Sequence, residues 1–134
     1  MGTAENKKVV QAFFESGNRG EVEAALDLLA DDVTWTNIGS TKFSGAYAGK
    51  QTVINELVGP LFGELEAGIH GTIDNLVAEG DYVVAQVRGQ ARKKDGTPYN
   101  NTYCHVFRLR DGKIVAVNEY MDTELITAVF GSRR

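Results

Sequence analysis

The apolar positions of this chain change period part-way along it. In the first third they recur every three to four residues. Val9, Val10, Phe13 and Phe14 form one stripe, and Val22, Ala25, Leu26 and Leu29 form another. That spacing predicts two amphipathic helices, over about Ala4–Gly17 and Glu21–Ala30, with Thr3 as the N-cap of the first. Asn18-Arg19-Gly20 separates them, and so short a connection predicts an antiparallel pair. Val33-Thr34-Trp35-Thr36-Asn37 alternates and predicts a short strand with Trp35 and Asn37 on one face. Residues 38–49 carry Gly39, Gly45 and Gly49 and read as a loop of the kind that covers a site. A third helix starts near Lys50, with Val53, Ile54, Leu57 and Leu61 on its apolar side and Pro60 bending or restarting it.

Further along, the period falls to two. Strands are predicted over Gly71–Ala78, Tyr82–Arg92, Tyr99–Arg110 and Ile114–Met121, joined by turns that contain Gly80, Gly96 and Gly112. Asp122 caps a last short helix, Thr123–Phe130. Helices first and a curved antiparallel sheet afterwards predict a single α+β domain over 1–134. Alternation sets Gln86 and Arg88 on one side of their strand and Val83, Ala85 and Val87 on the other. It groups Tyr103, His105, Phe107 and Leu109 in the next strand, and Val115, Val117, Glu119 and Met121 in the last. A sheet face needs no Arg, His or Glu to build a core. The expectation is that a curled face gathers Gln86, Arg88, Tyr103, His105 and Glu119 around a ligand.

The last hairpin allows two registers. A two-residue Asp111-Gly112 loop sets His105 opposite Asn118; a three-residue loop with Gly112 in a bulge sets it opposite Glu119. The second is preferred, because it groups Leu109, Phe107, Val115 and Val117 into one apolar floor and brings His105 within hydrogen-bond reach of Glu119.

Composition narrows the field. Net charge is −4, which repels nucleic-acid phosphates, and Arg92-Lys93-Lys94 reads as a solvated hairpin tip. No apolar run reaches the ~20 residues of a membrane span, and MGTAENKKVV has no apolar signal-peptide core; a cytoplasmic protein without nucleic-acid or membrane partners is expected. Cys104 stands alone, so no internal disulfide forms. It reads as a small buried hydrophobe, and with two histidines it makes no metal-ligand spacing.

Glu119 is the leading candidate for chemistry, as a general base in an apolar cavity; its plain alternative is a solvated carboxylate or a partner of Arg88. His105 would donate to a substrate oxygen or tune Glu119, or be a hydrogen-bonded wall residue. Asn37 would orient water or bind a carbonyl, or be a strand-end turn residue. Arg88 would bind an oxyanion, or form a structural salt bridge. Tyr103, Tyr47 and Gln86 add polar groups to the expected lining, and Trp35, Phe14, Phe107 and Met121 add its apolar surface.

The segments GNRGEVEAALDLLADDVTWTN, FSGAYAGKQTVINEL and HVFRLRDGKIVAVNEYMDT carry a resemblance to the nuclear transport factor 2-like, cone-shaped fold. Within it the chain resembles SnoaL-like proteins, relatives of ketosteroid isomerases, polyketide cyclases and limonene epoxide hydrolases. The resemblance covers nearly the whole chain. It implies three N-terminal helices packed in a curved antiparallel sheet, no cofactor, and a homodimer through the outer sheet face. Val83, Ala85, Val87, Cys104 and Val106 are expected on that face. By the same resemblance, the isomerases' base falls at Asn37, which cannot abstract a proton, and their helix-one tyrosine falls at Phe13, which has no hydroxyl. Their second oxyanion donor, an acid, falls near His105. The last-strand carboxylate of the cyclases and the epoxide hydrolase falls at Glu119. The hydrolase's Arg-x-Asp pair is replaced by Gln86 and Arg88. Two readings follow: an enzyme for a small, largely apolar, oxygenated molecule, or a non-catalytic binding or dimerisation domain with a vestigial pocket.

Overall fold

A computed structural model describes residues 2–133. The order is α1 (Thr3–Asn18), α2 (Val22–Asp27), β1 (Leu29–Asn37), β2 (Gly45–Ala48), α3 (Lys50–Thr52), a π-helical turn (Val53–Val58), α4 (Gly59–Gly63), β3 (His70–Glu79), β4 (Tyr82–Arg92), β5 (Pro98–Tyr99), β6 (Thr102–Arg110), β7 (Lys113–Met121) and α5 (Thr123–Phe130). The strands form one curled sheet in the order β2-β1-β7-β6-β4-β3, with β5 against β4. Every pairing is antiparallel except β1 with β7. The core lies between the inner sheet face and the helices; Phe107, Leu29, Val33, Val83, Leu109 and Val117 are buried in it. Among the described residues no helix is long and apolar enough to cross a membrane.

Local departures from the sequence reading have tertiary causes. The first helix starts one residue early, and its N-cap is Gly2, whose N–H donates to the Glu5 carboxylate at 2.9 Å. The second helix stops at Asp27, because Leu29 pairs with Ile114 and is 1% exposed. Burying that side chain in the sheet outweighs its helical propensity. Residues 38–49 are not all loop, since Gly45–Ala48 forms β2 along β1. The strand read over Tyr99–Arg110 breaks at Asn100-Asn101, where Asn101 turns inward and is 3% exposed. Pro60, which has no N–H to give, sits at the start of α4 just after the π turn.

The last hairpin reaches the preferred register by a different device. Arg110 pairs with Lys113 across a two-residue loop in which Asp111 and Gly112 both have positive φ, 51° and 78°. This is the turn geometry that matches strand twist. The pairing then shifts by one between Arg108 and Leu109, leaving Val115 as an extra residue. Ile114, rather than Val115, therefore joins Leu109, Phe107 and Val117 in the apolar floor. His105 lands opposite Glu119.

The two faces of β4 are the reverse of the pocket expectation. Ala85 pairs with His105 and Val87 with Tyr103, so the small apolar residues of β4 share the inner face. Gln86 and Arg88 lie on the exposed outer face. Arg88 forks onto Asp74, the residue at the β3 register shift, with bonds of 2.9–3.1 Å. Gln86 accepts from Asn75 at 3.3 Å. The apolar row expected at the outer face is likewise split: Val83, Ala85 and Val87 are in the core, whereas half-buried Cys104 and Val106 lie outside.

Candidate functional site

The curled sheet and the helices enclose a cavity of about 260 Å³. Its walls are mostly aromatic and aliphatic: Phe13 and Phe14 of α1, Leu57 of the π turn, Phe62 of α4, Met121 at the end of β7 and Phe130 of α5. Among the described residues no Lys or Arg lines it, and the titratable groups of its wall are Tyr99, Tyr103, His105 and Glu119. Among the described residues no group of three or more His, Cys, Asp or Glu is placed to hold a metal.

Register builds the polar end. Asn37 of β1 is the partner of Glu119 in β7, and Glu119 is the partner of His105 in β6. Three neighbouring strands thus set three polar side chains in one row on the inner face. Trp35, two residues before Asn37, shares that face. Its indole N–H donates to Glu119 Oε1 at 2.8 Å and to Asn37 Oδ1 at 3.0 Å. The other carboxylate oxygen lies 3.5 Å from His105 Nε2, with side-chain exposures of 14% for Glu119 and 7% for His105. A carboxylate oriented by an indole donor and an imidazole, at the edge of an apolar space, is positioned to take a proton from a guest.

His105 is held by its rings of contact. It stacks between Tyr103 at 5.4 Å and Phe107 at 5.6 Å, with Phe14 edge-on at 5.4 Å. Its Nδ1 is buried and has no hydrogen-bond partner. Asn37 is committed elsewhere, since its Nδ2 donates to the Phe43 carbonyl at 3.1 Å. That bond ties the loop before β2 to the polar row.

A second polar group sits beside the first. Tyr103 donates to the Tyr99 hydroxyl at 3.0 Å, and Asn101 Nδ2 donates to the same oxygen at 2.9 Å. Burial pushes the Tyr103 hydroxyl far above the usual phenol range, with the nearby Tyr99 and Glu119 adding to it. Burial raises Tyr99 too, partly offset by the bonds it receives from Tyr103 and Asn101. Room for the Tyr103 ring comes from Gly89, where a Cβ would lie 2.7 Å from that ring and 3.0 Å from Ile69.

The family follows from the pattern of the whole chain. A model of the SnoaL-like domain matches residues 10–117. The chain belongs to the SnoaL-like family. No curated protein matches it in sequence. An NTF2-like protein of unknown function from Burkholderia pseudomallei is similar in structure, with a TM-score of 0.84 at 20% identity, covering 96% of this chain and 98% of that one. TerC, co-crystallised with polyporic acid, superposes with a TM-score of 0.82 at 21% identity, over 96% of this chain and 99% of its own. A hypothetical protein of ketosteroid isomerase-like fold from Catenulispora acidiphila, in complex with trimethylamine, gives 0.71 at 19% identity, over 84% and 83%. At such identities the likeness is one of fold.

In this SnoaL-like domain the expected residues sort into three groups. Trp35, Asn37, Tyr103, His105, Glu119, Met121 and Phe14 all line the cavity. Phe107 lies beneath it as core, at 0% exposure, and Tyr47 spends its hydroxyl on the Phe43 carbonyl at 2.8 Å. Gln86 and Arg88 are outside, as described above. Sequence reasoning missed Tyr99 and Asn101. The signal was present: Tyr99, Asn101, Tyr103 and His105 fall on alternate positions, so one face of an extended segment carries all four.

Proposed function

We propose that this SnoaL-like domain binds a small, largely apolar, oxygenated molecule in its cavity and acts on it with Glu119 as general base. The reaction would be of isomerase, cyclase or hydrolase type: removal of a proton beside a carbonyl, or activation of water for epoxide opening. The observation that carries this reading is the Glu119 carboxylate, 14% exposed, oriented by Trp35 at 2.8 Å and facing an apolar cavity with no Lys or Arg in its lining among the described residues. A carboxylate in such a place has no core-building purpose. The fold neighbour that was co-crystallised with polyporic acid is in keeping with an oxygenated guest.

A second reading is binding without turnover. It draws on Asn37, whose carboxamide already accepts from Trp35 and donates to the Phe43 carbonyl, which fixes its orientation in the fold.

The experiment is in two steps. Trp35 is the sole tryptophan and lines the cavity, so its fluorescence reports occupancy. A panel of enolisable cyclic ketones and terpene epoxides should quench or shift it saturably; no response to any member would remove the binding reading. Ligands that bind are then incubated in D₂O and followed by NMR. Deuterium entering beside the carbonyl, or diol formation from an epoxide, at a rate that falls about 10²–10⁴-fold in Glu119→Gln, supports the enzyme. Binding with no conversion, in the unmodified protein, selects the second reading.

A further inference from the structure

The Tyr99, Tyr103 and Asn101 cluster contains one more proton than its internal bonds use. The orientation of Asn101 is fixed by its backbone partners. Its Oδ1 accepts from Thr102 N–H at 2.8 Å and from Asp122 N–H at 3.3 Å. Its Nδ2 therefore donates, to the Asp122 carbonyl at 3.1 Å and to the Tyr99 hydroxyl oxygen at 2.9 Å. The Tyr99–Tyr103 bond of 3.0 Å consumes one of the two tyrosine O–H groups. The other is left over whichever way that bond runs; with Tyr103 donating, it is the Tyr99 proton. Tyr99 is 3% exposed and Tyr103 6%, so this donor belongs to the interior and not to the outer surface. Among the described residues no other side chain or carbonyl accepts it. Buried O–H groups are seldom left unpaired. Both tyrosines line the cavity, so a guest can supply the missing acceptor.

We propose that the spare hydroxyl of the Tyr99–Tyr103 pair is the recognition point for a neutral carbonyl guest. The guest's oxygen lies on the pair and its proton-yielding group lies toward Glu119. This rests on the reading that the cavity holds a small oxygenated molecule, and it adds which chemical group and which way round. Orientation follows from charge. Glu119, when ionised, accepts hydrogen bonds and repels a carbonyl oxygen, whereas the tyrosine pair donates. Neutrality follows from the lining, which among the described residues offers no Lys or Arg to an anion. One small molecule can span both ends: the Tyr103 ring stacks 5.4 Å from His105, whose Nε2 is 3.5 Å from Glu119. Two incoming bonds at the Tyr99 oxygen polarise its own O–H and make it a better donor.

The test uses 2-acetylnaphthalene and its deoxygenated counterpart 2-ethylnaphthalene, with binding followed by Trp35 fluorescence. After correction for their partition between water and hydrocarbon, the ketone should bind the unmodified protein at least about tenfold more tightly. The infrared carbonyl stretch of the bound ketone should lie below its value in hexane and return toward it in the double variant Tyr99→Phe/Tyr103→Phe. Each single variant should keep a lowered stretch, since one hydroxyl remains. Equal corrected affinities, or the same stretch in the unmodified protein and the double variant, would overturn the proposal while leaving the cavity reading in place. Failure of both compounds to bind would remove the cavity reading and this proposal together. Should the double variant not fold, the affinity comparison in the unmodified protein decides alone.

Discussion

Two of the sheet's pairings of a carboxylate with a basic side chain lie on opposite faces. On the outside, Asp74 and Arg88 make a forked ion pair with side-chain exposures of 45% and 60%. On the inside, Glu119 and His105 sit at 14% and 7%, with the Trp35 indole as third member. The outer pair is better in geometry, with three bonds of 2.9–3.1 Å, and the less consequential of the two. Water already solvates both of its partners, so the pairing changes little. The inner pair is looser, and its surroundings make it matter: water solvates it little, and both groups line the cavity.

The comparison breaks or sharpens under substitution. The largest effect expected is at the inner floor. Phe107→Ala, under the His105 ring, should destabilise the protein by about 3–5 kcal/mol in urea unfolding, because a fully buried aromatic leaves a void. A loss below about 1 kcal/mol would mean that the inner face is not tightly packed. Next, Trp35→Phe removes the donor shared by Glu119 and Asn37. A cost of about 1–3 kcal/mol is expected by circular dichroism, and no cost would place the inner carboxylate on the same footing as the outer one.

An alkaline titration probes the neighbouring tyrosines. Burial raises Tyr99 and Tyr103, so the folded protein keeps protons that the unfolded chain releases near pH ~10. Their contribution to stability is fully present below that pH and declines as pH rises above it. Phenolate absorbance should show these two ionising only as the protein unfolds; smooth titration of all five tyrosines in the folded state would contradict their burial. The smallest effect belongs to Asp74→Asn. Arg88's hydrogen bonds hold the Asp74 carboxyl below the usual carboxylate range. Its contribution is therefore present above about pH 4 and lost as pH falls through the lowered value. At neutral pH the variant's urea midpoint should match the unmodified protein within experimental scatter. A clear drop would make the outer pair structural in its own right.

Sequence alone carried much of this. Strands β3, β4 and β7 and the last helix are where period and turn residues place them, to within a residue or two. The facing of His105 and Glu119 was legible as the preferred of two registers, whereas the place of Asn37 beside Glu119 comes from the parallel pairing of β1 with β7. What failed depends on partners distant in the chain. Alternation sorted β4 into two sides correctly but did not say which side is inner. That is decided by Ala85 pairing with His105, which puts Gln86 and Arg88 outside. The last hairpin reached its register through a bulge at Val115, and the bulge is selected by burial of Ile114 against Leu29. Asn101 was passed over because its value lies in bonds to Tyr99 and Asp122, one of them across 21 positions.

Gly89 gives a single position control over the shape of the cavity wall. With hydrogen in place of a side chain, the Tyr103 ring lies across β4 and its hydroxyl reaches Tyr99; a methyl group would meet that ring at 2.7 Å. Ile69 stands 3.0 Å from the same point, so the ring or that side chain has to give, and both belong to the cavity wall. If the cavity takes a guest as proposed, a change at this position would alter the room for it without touching Glu119 or His105. Position 89 is where an engineer seeking a smaller guest, or a lineage drifting toward one, would find the shortest route.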